Sequence, residues 1–335
     1  MQIIVAGGAG FIGSHLCAAL LADGHTVIAL DNYVTGNPRN IAHLLGHPRF
    51  QVIEHDIIQP LPAALPTAAA IFHLASPASP ADFSRIPLQI QLTNSIGTYH
   101  LLEHARRTGA RLLFTSTSEA YGDPEVHPQV ETYFGNVNSV GPRACYDEGK
   151  RFGESLVMTY VREYGVDGRL VRIFNTYGPH MNPADGRVPP NFISQALTGR
   201  PITIYGDGRQ TRSFCYVEDL VAGLRAVMDA PRERVCGQVC NVGNPDERTI
   251  LEFAHLVRTL SGSVAPIEHR PALAEDPARR CPDITRIRTQ TGWEPRVSLE
   301  EGLRRTIAWF RTVVPGALVT ETRRAGQEVE PLTVS

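Results

Sequence analysis

Three glycines near the N-terminus constrain the fold of this chain most strongly. Gly7, Gly10 and Gly13 follow a short apolar run at residues 3–6 and precede an apolar segment with helical spacing. Glycines in such a strand-to-helix turn permit a tight bend and let the backbone approach a pyrophosphate, which then lies at the helix N-terminus. Asp31 ends the next apolar run, 18 residues after Gly13, where an acid suits hydrogen bonding to ribose hydroxyls. The pattern predicts a dinucleotide site. Because Asp31 would repel a 2′-phosphate, we expect NAD rather than NADP.

Short apolar runs alternate with amphipathic stretches through the first half of the chain. This order is typical of parallel βαβ units. We therefore predict an α/β fold, a doubly wound parallel sheet of the Rossmann type over residues 1–174, with ligands at the carboxyl ends of the strands. Strands are predicted at residues 3–6, 26–31, 50–56, 69–76, 112–116 and 170–174, and helices at 95–108 and 146–164.

After residue 174 the alternation loosens and prolines punctuate the chain. We interpret residues 175–315 as a smaller substrate-binding lobe, with residues 217–244 returning to the main sheet. A short strand is expected at 202–205, and helices at 218–229, 250–260 and 299–313. The polar segment 316–335 has no apolar periodicity and is expected to be a loose tail.

Bulk properties exclude several classes of protein. The net charge of -2 over 335 residues argues against a general binder of nucleic acid or anionic membranes. No apolar run approaches the ~20 residues of a transmembrane helix, and the N-terminus lacks the basic start of a signal peptide. The six cysteines are scattered, and neither they nor the twelve histidines show the spacing of a metal site. We expect reduced thiols, a cytoplasmic location and no metal.

Tyr146 and Lys150 form the second informative pair. Four residues apart on a helix, they point the same way. Lys150 can then stabilise a Tyr146 phenolate while reaching a cofactor ribose. Lowering the pKa of a tyrosine from ~10 to near 7 requires about 4 kcal/mol, which an ammonium and a cationic nicotinamide together can supply. The pair predicts redox chemistry on a sugar alcohol.

Six blocks of sequence carry a resemblance to a known family. They are HLASPASP at 73–80, STSEAYGDP at 116–124, GPRACYDEGKR at 141–151, RIFNTYGP at 172–179, DGRV at 185–188 and YGDGRQTRSF at 205–214. The chain resembles the extended short-chain dehydrogenases/reductases over residues 1–310 and, within them, the UDP-glucuronate decarboxylases (UDP-xylose synthases). The block at 141–151 is the one most specific to the decarboxylases.

The resemblance implies a reaction with NAD as a tightly bound cofactor. Tyr146 would take the proton from the carbon-4 hydroxyl of UDP-glucuronate as hydride passes to NAD⁺, with Thr117 hydrogen-bonded to that oxygen. The ketone formed is β to the carboxylate, so carbon dioxide can leave. Reprotonation at carbon-5 and return of the hydride would then give UDP-xylose. Some UDP-4-keto-pentose is expected to escape, in a ratio that the sequence does not define.

The resemblance also assigns residues to roles. Ser118 and Glu119 match positions beside carbon-5 and the carboxylate, and Arg280 matches an arginine that approaches the leaving group. Residues matched to substrate binding are Ser79, Asn175, Arg187, Tyr205, Gln210 and Arg212. Residues assigned to the cofactor are Gly7, Gly10, Phe11, Ile12, Gly13, Asp31, Asn32, Thr35, Gly36, Asp56, Ile57, Leu74, Ser76, Thr93, Thr115, Tyr146, Lys150 and Thr176. For Asp56, a turn-forming role is nearly as well supported as adenine contact.

One departure from the family bears on the substrate. Leu92 stands where members commonly carry a lysine before Thr93 and Asn94. If that lysine helps to hold the sugar carboxylate, its absence affects substrate affinity or the balance between steps.

Three other functions compete with decarboxylation. A 4,6-dehydratase would have an aspartate at the position of Ser118, since a serine is a poor acid for protonating a leaving hydroxyl. A UDP-sugar 4-epimerase needs Tyr146 and Lys150 but not Glu119 together with Arg280. A non-catalytic NAD-sensing protein usually lacks the intact tyrosine and lysine.

The family also implies an assembly. Helices 95–108 and 146–164 match the pair that commonly forms a four-helix bundle between two subunits, so a homodimer is expected. The pathway that uses the product is not defined by the sequence.

Overall fold

The computed structural model describes residues 1–272 and 279–317 of the chain. The strands are β1 (Gln2–Ala6), β2 (Thr26–Asp31), β3 (Phe50–Glu54), β4 (Ala70–His73), β5 (Arg111–Thr117), β6 (Gly168–Ile173), β7 (Thr176–Tyr177), β8 (Ile202–Tyr205), β9 (Thr211–Ser213), β10 (Cys215–Tyr216), β11 (Val239–Val242), β12 (Glu247–Thr249), β13 (Ile267–Arg270) and β14 (Arg279–Arg280). The helices are α1 (Phe11–Ala22), α2 (Pro80–Arg85), α3 (Pro87–Leu92), α4 (Thr98–Thr108), α5 (Ala144–Tyr164), α6 (Val188–Leu197), α7 (Val217–Asp229), α8 (Arg232–Val235), α9 (Ile250–Ser261), α10 (Thr285–Thr291) and α11 (Leu299–Val313).

The main sheet has seven parallel strands in the order β11-β6-β5-β4-β1-β2-β3. The strand order reverses between β1 and β4, and ligands of such sheets bind in the crevice outside the carboxyl ends at that point. The predicted doubly wound parallel sheet is confirmed. β11 is the edge strand beside β6, within the stretch 217–244 that was expected to return to the sheet.

β1 shows why both faces of the sheet are covered. Ile3 and Val5 pack into one apolar cluster and Ile4 and Ala6 into another, on opposite faces. Successive strand residues point to opposite sides, so a continuous apolar run requires helices on each face.

Most of the shorter strands lie after residue 200, in small separate sheets. β8 pairs with β13, while β9 lies between β12 and β14. Helices α6, α9 and α11 pack near them around Phe192, Phe253 and Phe310, all buried. The treatment of residues 175–315 as one lobe stays a prediction, and most of the predicted tail lies outside the described residues.

Two predicted strands are too long, for the same reason. The third was predicted to reach residue 56, but β3 ends at Glu54, which is opposite the last residue of β2, Asp31. The fourth was predicted to reach residue 76, but β4 ends at His73, opposite Ala6 at the end of β1. Each strand stops where its partner stops.

Both predicted bundle helices also differ at their start. The one predicted at 95–108 begins as α4 at Thr98, after a π-helical turn over Thr93–Gly97 that continues from α3. The other, α5, begins at Ala144. Among the described residues, no helix is long and apolar enough to cross a membrane.

Gly153 sets the distance between α5 and the sheet. A Cβ atom there would lie 2.3 Å from the ring of Phe114 on β5, which is fully buried. Such an approach requires a shift of packed atoms, and overpacking of a core costs ~1–3 kcal/mol. We predict that Gly153→Ala lowers the free energy of unfolding by about that much, measured by urea denaturation.

Gly149, in the same helix, is the matched control. Its added Cβ would meet its nearest neighbour at 3.4 Å, an ordinary contact. Because alanine is favoured over glycine by ~1 kcal/mol inside a helix, Gly149→Ala should be neutral or stabilising. Equal stability of the two variants would show that Gly153 does not set the spacing.

Candidate active site

One large cavity lies at the carboxyl ends of the central strands. Its volume is about 1160 Å³, more than the ~300–1,000 Å³ of a typical small-molecule site. All the residues that the sequence assigns to catalysis, to the cofactor and to the substrate line this cavity. The fold therefore brings the predicted site residues together in one cavity. The individual roles of these residues stay predictions.

The glycine turn between β1 and α1 is closed against other backbone. A Cβ on Gly13 would lie 2.0 Å from the carbonyl oxygen of Gly7, and one on Gly7 would lie 2.7 Å from the backbone of Leu74 and Ala75. Gly7 also has φ +84°, which favours glycine. α1 starts directly after this turn, so its free N–H groups face the cavity end. These features fit the pyrophosphate of a dinucleotide.

Asp31 lies at the end of β2 beside this turn. Its carboxylate accepts hydrogen bonds from the backbone N–H groups of Ala9 and Tyr33, both at 2.9 Å. Burial raises the pKa of Asp31, and these two donors partly offset the rise. The carboxylate is thus fixed in the cavity wall, where its negative charge disfavours a phosphate on the ribose 2′ position.

Asp56 makes two hydrogen bonds within the protein, one of them typical of an aspartate in a turn. One carboxylate oxygen accepts from the N–H of Ile58, two residues on, and the other accepts from the side chain of Gln89. The first contact is a turn formed by the aspartate itself. Contact of Asp56 with an adenine stays a prediction.

Tyr146 and Lys150 are both buried on the first turns of α5, beside the end of β5. Lys150 donates to the carbonyl oxygen of Thr115 at 2.8 Å, and its ammonium lies 5.9 Å from the centre of the Tyr146 ring. The Tyr146 hydroxyl is hydrogen-bonded to the side chain of Thr117. The structure thus brings Tyr146, Lys150 and Thr117 together, while the predicted bond of Thr117 to the substrate oxygen stays a prediction.

In the protein without ligands, the pKa of Tyr146 lies above its ordinary value. Burial raises it to about 12, against the hydrogen bond from Thr117 and the positive charge of Arg187. Burial also lowers the pKa of Lys150 to about 7, against the negative charge of Glu154. Desolvation thus disfavours both charged forms in the protein alone, and the expectation that Lys150 and a bound nicotinamide together lower the pKa of Tyr146 stays a prediction.

Glu119 is the centre of a partly buried ion cluster. One carboxylate oxygen pairs with Arg280 at 2.9 Å and the other with Arg143 at 2.6 Å. Burial raises the pKa of Glu119, but the charges of Arg280 and Arg143 outweigh it and bring the pKa below its ordinary value. Arg280 also donates to Ser118 at 3.3 Å. Glu119 is thus ionised and fixed between two cations.

Arg143 was given no role from the sequence. It lines the cavity and precedes α5 directly, where a cation is unfavourable because the helix N-terminus carries partial positive charge. That unfavourable position, four residues before Asp147, is the signal that could have indicated a function. The cost is compensated by the two nearby acids.

Asp147 is the second acid of this cluster. It is buried, its Oδ2 lies 3.8 Å from Nε of Arg143, and its Oδ1 has no hydrogen-bond partner within the described residues. Burial and the negative charge of Glu119 raise the pKa of Asp147 to about 7, against the charge of Arg143. It carries only part of a charge at neutral pH.

Two of the arginines assigned to the nucleotide sugar lie close to Tyr146 and Glu119. Arg187 is paired with Asp185 through Nε and Nη2 of its guanidinium, at 2.5 and 2.7 Å. Its positive charge lowers the pKa of Tyr146, and the charge of Arg212 lowers the pKa of Glu119. Their binding of a nucleotide sugar stays a prediction.

Two further points concern Leu92 and the side chains that could hold a metal ion. Leu92 itself does not line the cavity, and the effect of a leucine in place of the family lysine stays a prediction. Within residues 1–272 and 279–317, no group of three metal-ligating side chains is suitably placed for an ion.

Comparison with known proteins places the chain in a family. The sequence profile of the NAD dependent epimerase/dehydratase family matches residues 3–243. UDP-glucuronic acid decarboxylase 1 of Danio rerio is 51% identical over 309 residues, which cover 92% of this chain and 72% of that protein. The Arabidopsis thaliana protein of the same name is 50% identical, over 93% and 70%.

A solved structure shares the fold over nearly its whole length. It is UDP-glucuronic acid 4-epimerase from Bacillus cereus, in complex with UDP-glucuronic acid and NAD. The two chains are 29% identical with a TM-score of 0.85, over 93% of this chain and 99% of the epimerase.

Asp147 gives the site a measurable pH dependence. Its folded-state pKa of about 7 lies above the ordinary value of 3.8, so its contribution to stability is lost as the pH rises from ~4 to 7. Asp147→Asn removes this loss. We predict that its free energy of unfolding, relative to the parent protein, increases by on the order of 2 kcal/mol between pH 5 and pH 8.

Urea denaturation at the two pH values checks this. Glu163→Gln, a change at an exposed residue near the end of the same helix, serves as the control and should follow the parent protein. If Asp147→Asn and the parent protein have parallel pH profiles, the Asp147 carboxyl does not titrate in this range.

Proposed function

Because this chain belongs to the NAD dependent epimerase/dehydratase family and shares half of its residues with UDP-glucuronic acid decarboxylases, we propose that it decarboxylates UDP-glucuronate. The products are UDP-xylose and carbon dioxide, and NAD is a cofactor that stays bound. The profile match and the identity to these decarboxylases confirm the family that the sequence resembles.

A single observation carries the choice of an acidic sugar. Arg280, Arg143 and Arg212 contribute three positive charges around Glu119, while Glu119 and the partly ionised Asp147 contribute fewer than two negative ones. The sugar end of the cavity therefore has a net positive charge. Arginines suit carboxylates because their planar donors are bidentate. A uronic acid complements this charge, whereas a neutral sugar does not.

The turn at Gly7 to Gly13, with Asp31, holds the dinucleotide, and Lys150 and Tyr146 lie at its reactive end. When bound, NAD accepts two electrons and a hydrogen from sugar carbon-4 and later returns them. This family chemistry fits the residues present, since the glycine turn excludes side chains where the pyrophosphate lies.

Tyr146 acts as the base for the carbon-4 hydroxyl. Its pKa of about 12 means that the phenolate is unstable in the protein's own field. Positive charge from Lys150 and from the nicotinamide favours it when both ligands are in place. Thr117 fixes the phenol oxygen by a hydrogen bond. The proton passes from the sugar hydroxyl to Tyr146 and returns at the end of the cycle.

Loss of carbon dioxide follows from the ketone at carbon-4. The bond between carbon-5 and the carboxylate breaks, and its electron pair moves into an enolate on the ketone oxygen. A proton from solvent is then added at carbon-5, so that one proton is consumed for each carbon dioxide released. Glu119 and Ser118 are the groups we assign to this centre, and Arg280 fixes Glu119. Charge stabilisation by fixed groups is the main contribution of the protein.

Incubation with UDP-glucuronate, followed by mass spectrometry of the sugar nucleotide, tests the function. We expect loss of carbon dioxide, with UDP-xylose as the main product. Unchanged mass with inverted carbon-4 would show a 4-epimerase instead, and an inert protein would overturn the proposal. Tyr146→Phe should lower turnover by ~10²-fold or more while its NAD content is unchanged.

Glu119→Gln separates the two halves of the reaction. We expect oxidation to proceed and carbon dioxide release to slow by roughly 10²-fold, so that the absorbance of reduced nicotinamide accumulates. Glu148→Gln, outside the cavity, is the control. Normal carbon dioxide release by Glu119→Gln would show that the role of Glu119 is wrongly assigned.

We also propose that two copies associate through α4 and α5. These helices pack against each other, yet Tyr99 on α4 and Phe152 on α5 are 46% and 53% exposed. Apolar side chains on a helix pair are buried when a second pair packs on them to form a four-helix bundle.

Phe152→Glu should therefore convert a dimer into a monomer in size-exclusion chromatography with light scattering, because it places a charge in the bundle. Phe134, 85% exposed on the segment between β5 and α5, provides the control: Phe134→Glu should remain dimeric. A Phe152→Glu protein that remains a dimer would exclude this face.

We place the protein in a reducing compartment such as the cytoplasm. All six cysteines are free, and five of them are buried. Disulfides are rare in proteins of the cytosol.

A further inference from the structure

Glu247 is a partly buried acid outside the cavity that no step of the proposed reaction uses. It opens β12, in the small sheet of order β12-β9-β14, and its side chain is 19% exposed. Its carboxylate touches side chains from three separate segments. These are Thr211 on β9, Arg279 on β14 and His127 on the segment after β5.

Each carboxylate oxygen is engaged more than once. Oε1 accepts from the hydroxyl of Thr211 and from Nε of Arg279 at 3.4 Å. Oε2 lies 3.1 Å from Nη2 of Arg279 and 3.2 Å from Nε2 of His127. Burial raises the pKa of Glu247, but the hydrogen bonds from Arg279 and Thr211 outweigh it. The group is ionised at neutral pH.

The two strand partners of Glu247 each precede an arginine of the cavity. Thr211 is followed by Arg212, and Arg279 by Arg280; in the parallel pairing, Arg279 is opposite Thr211 and Arg280 opposite Arg212. Successive residues of a strand point to opposite faces. The face that Glu247 holds is thus the reverse of the face that presents both arginines to the substrate.

The backbone pairing of these strands is short, and Glu247 adds to the contacts that Arg280 makes with Glu119 and with the carbonyl oxygen of Gly122. β9 has three residues and β14 has two, so few backbone hydrogen bonds fix them. A slip of one residue would turn both arginines away from the cavity. The contact with His127 also ties the small sheet to the segment that links β5 with Arg143 and α5.

We propose that Glu247 is a positioning residue that fixes β9 against β14, so that Arg212 and Arg280 reach the nucleotide sugar together. It touches neither substrate nor cofactor and acts through these two arginines. The inference deepens the proposed function and rests on it for the identity of the substrate.

Glu247→Gln tests the proposal in the full chain with its NAD bound. The amide keeps the size of the side chain and removes the charge that Arg279 requires. We expect the Kd for UDP, measured by calorimetry, and the KM for UDP-glucuronate to rise about tenfold. kcat should fall by a similar factor, because small misplacements of binding groups cost ~10- to 100-fold. NAD content should be unchanged.

Glu252→Gln is the matched control. Glu252 lies on α9, five residues away, and caps that helix through Thr249 without touching β14. It should lower stability slightly and leave UDP affinity, KM and kcat at parent values. If Glu247→Gln has the kinetics and UDP affinity of Glu252→Gln, or if it loses NAD and UDP to the same extent, the proposal is wrong.

Arg279→Gln keeps the test decisive if Glu247→Gln does not fold. Arg279 is more than half exposed, so its loss removes one of the contacts without leaving a cavity. We expect a smaller rise in the Kd for UDP in the same direction, and an unchanged Kd would overturn the proposal.

UDP binding also separates this inference from the proposed function. A parent protein that binds UDP but leaves UDP-glucuronate intact would refute the decarboxylase, and weaker UDP binding by Glu247→Gln would still support the positioning role. A parent protein that binds no UDP would overturn both.

Discussion

The site depends on the Glu119 carboxylate, held between two guanidinium groups that are far apart in the sequence. Glu119 follows β5, Arg143 precedes α5 and Arg280 ends β14. Removing one partner of a buried ion pair is strongly destabilising, since it leaves an uncompensated charge. The three residues can therefore be satisfied only when the end of the main sheet and the small sheet beyond residue 200 meet in one arrangement. The cluster links the fold of both parts of the chain to the geometry of the site.

Burial also opposes the ionisation of Tyr146, which we propose as the base. Tyr146 is harder to ionise inside the protein than in water, and Lys150 is easier to neutralise. The chain thus supplies position, through the hydrogen bonds to Thr117 and Thr115, and leaves part of the charge to its ligands. In the ligand-free protein Tyr146 is therefore a neutral phenol. In the proposed reaction, its phenolate is favoured only when cofactor and substrate are both bound. This division between position and charge explains why motif spacing identifies the residues but does not give their pKa values.

What could be predicted from the sequence follows from how local each feature is. The glycine turn and the pair Tyr146 and Lys150 depend on neighbours within a few residues, and both are placed as expected. The contact of Arg143 with Glu119 joins residues 24 apart in the sequence, and the three contacts of Glu247 depend on strands of two or three residues, which have no measurable periodicity. The ends of β3 and β4 were misjudged because a strand ends where its partner ends, which no local pattern records. The long-range pairing of polar side chains therefore could not be predicted from the sequence.

The charge balance around Glu119 also bears on Leu92, which stands where members of the family commonly carry a lysine. Leu92 does not line the cavity, whereas Arg143, Arg212 and Arg280 all do. Three cations against Glu119 and a half-ionised Asp147 leave enough positive charge to attract a uronate without any contribution from α3. In the proposed reaction the negative charge of the carboxylate moves to the enolate as neutral carbon dioxide leaves, and it disappears only when carbon-5 is protonated. The cations that favour a uronate therefore also favour the enolate formed from it, and the neutral pentose lacks that attraction.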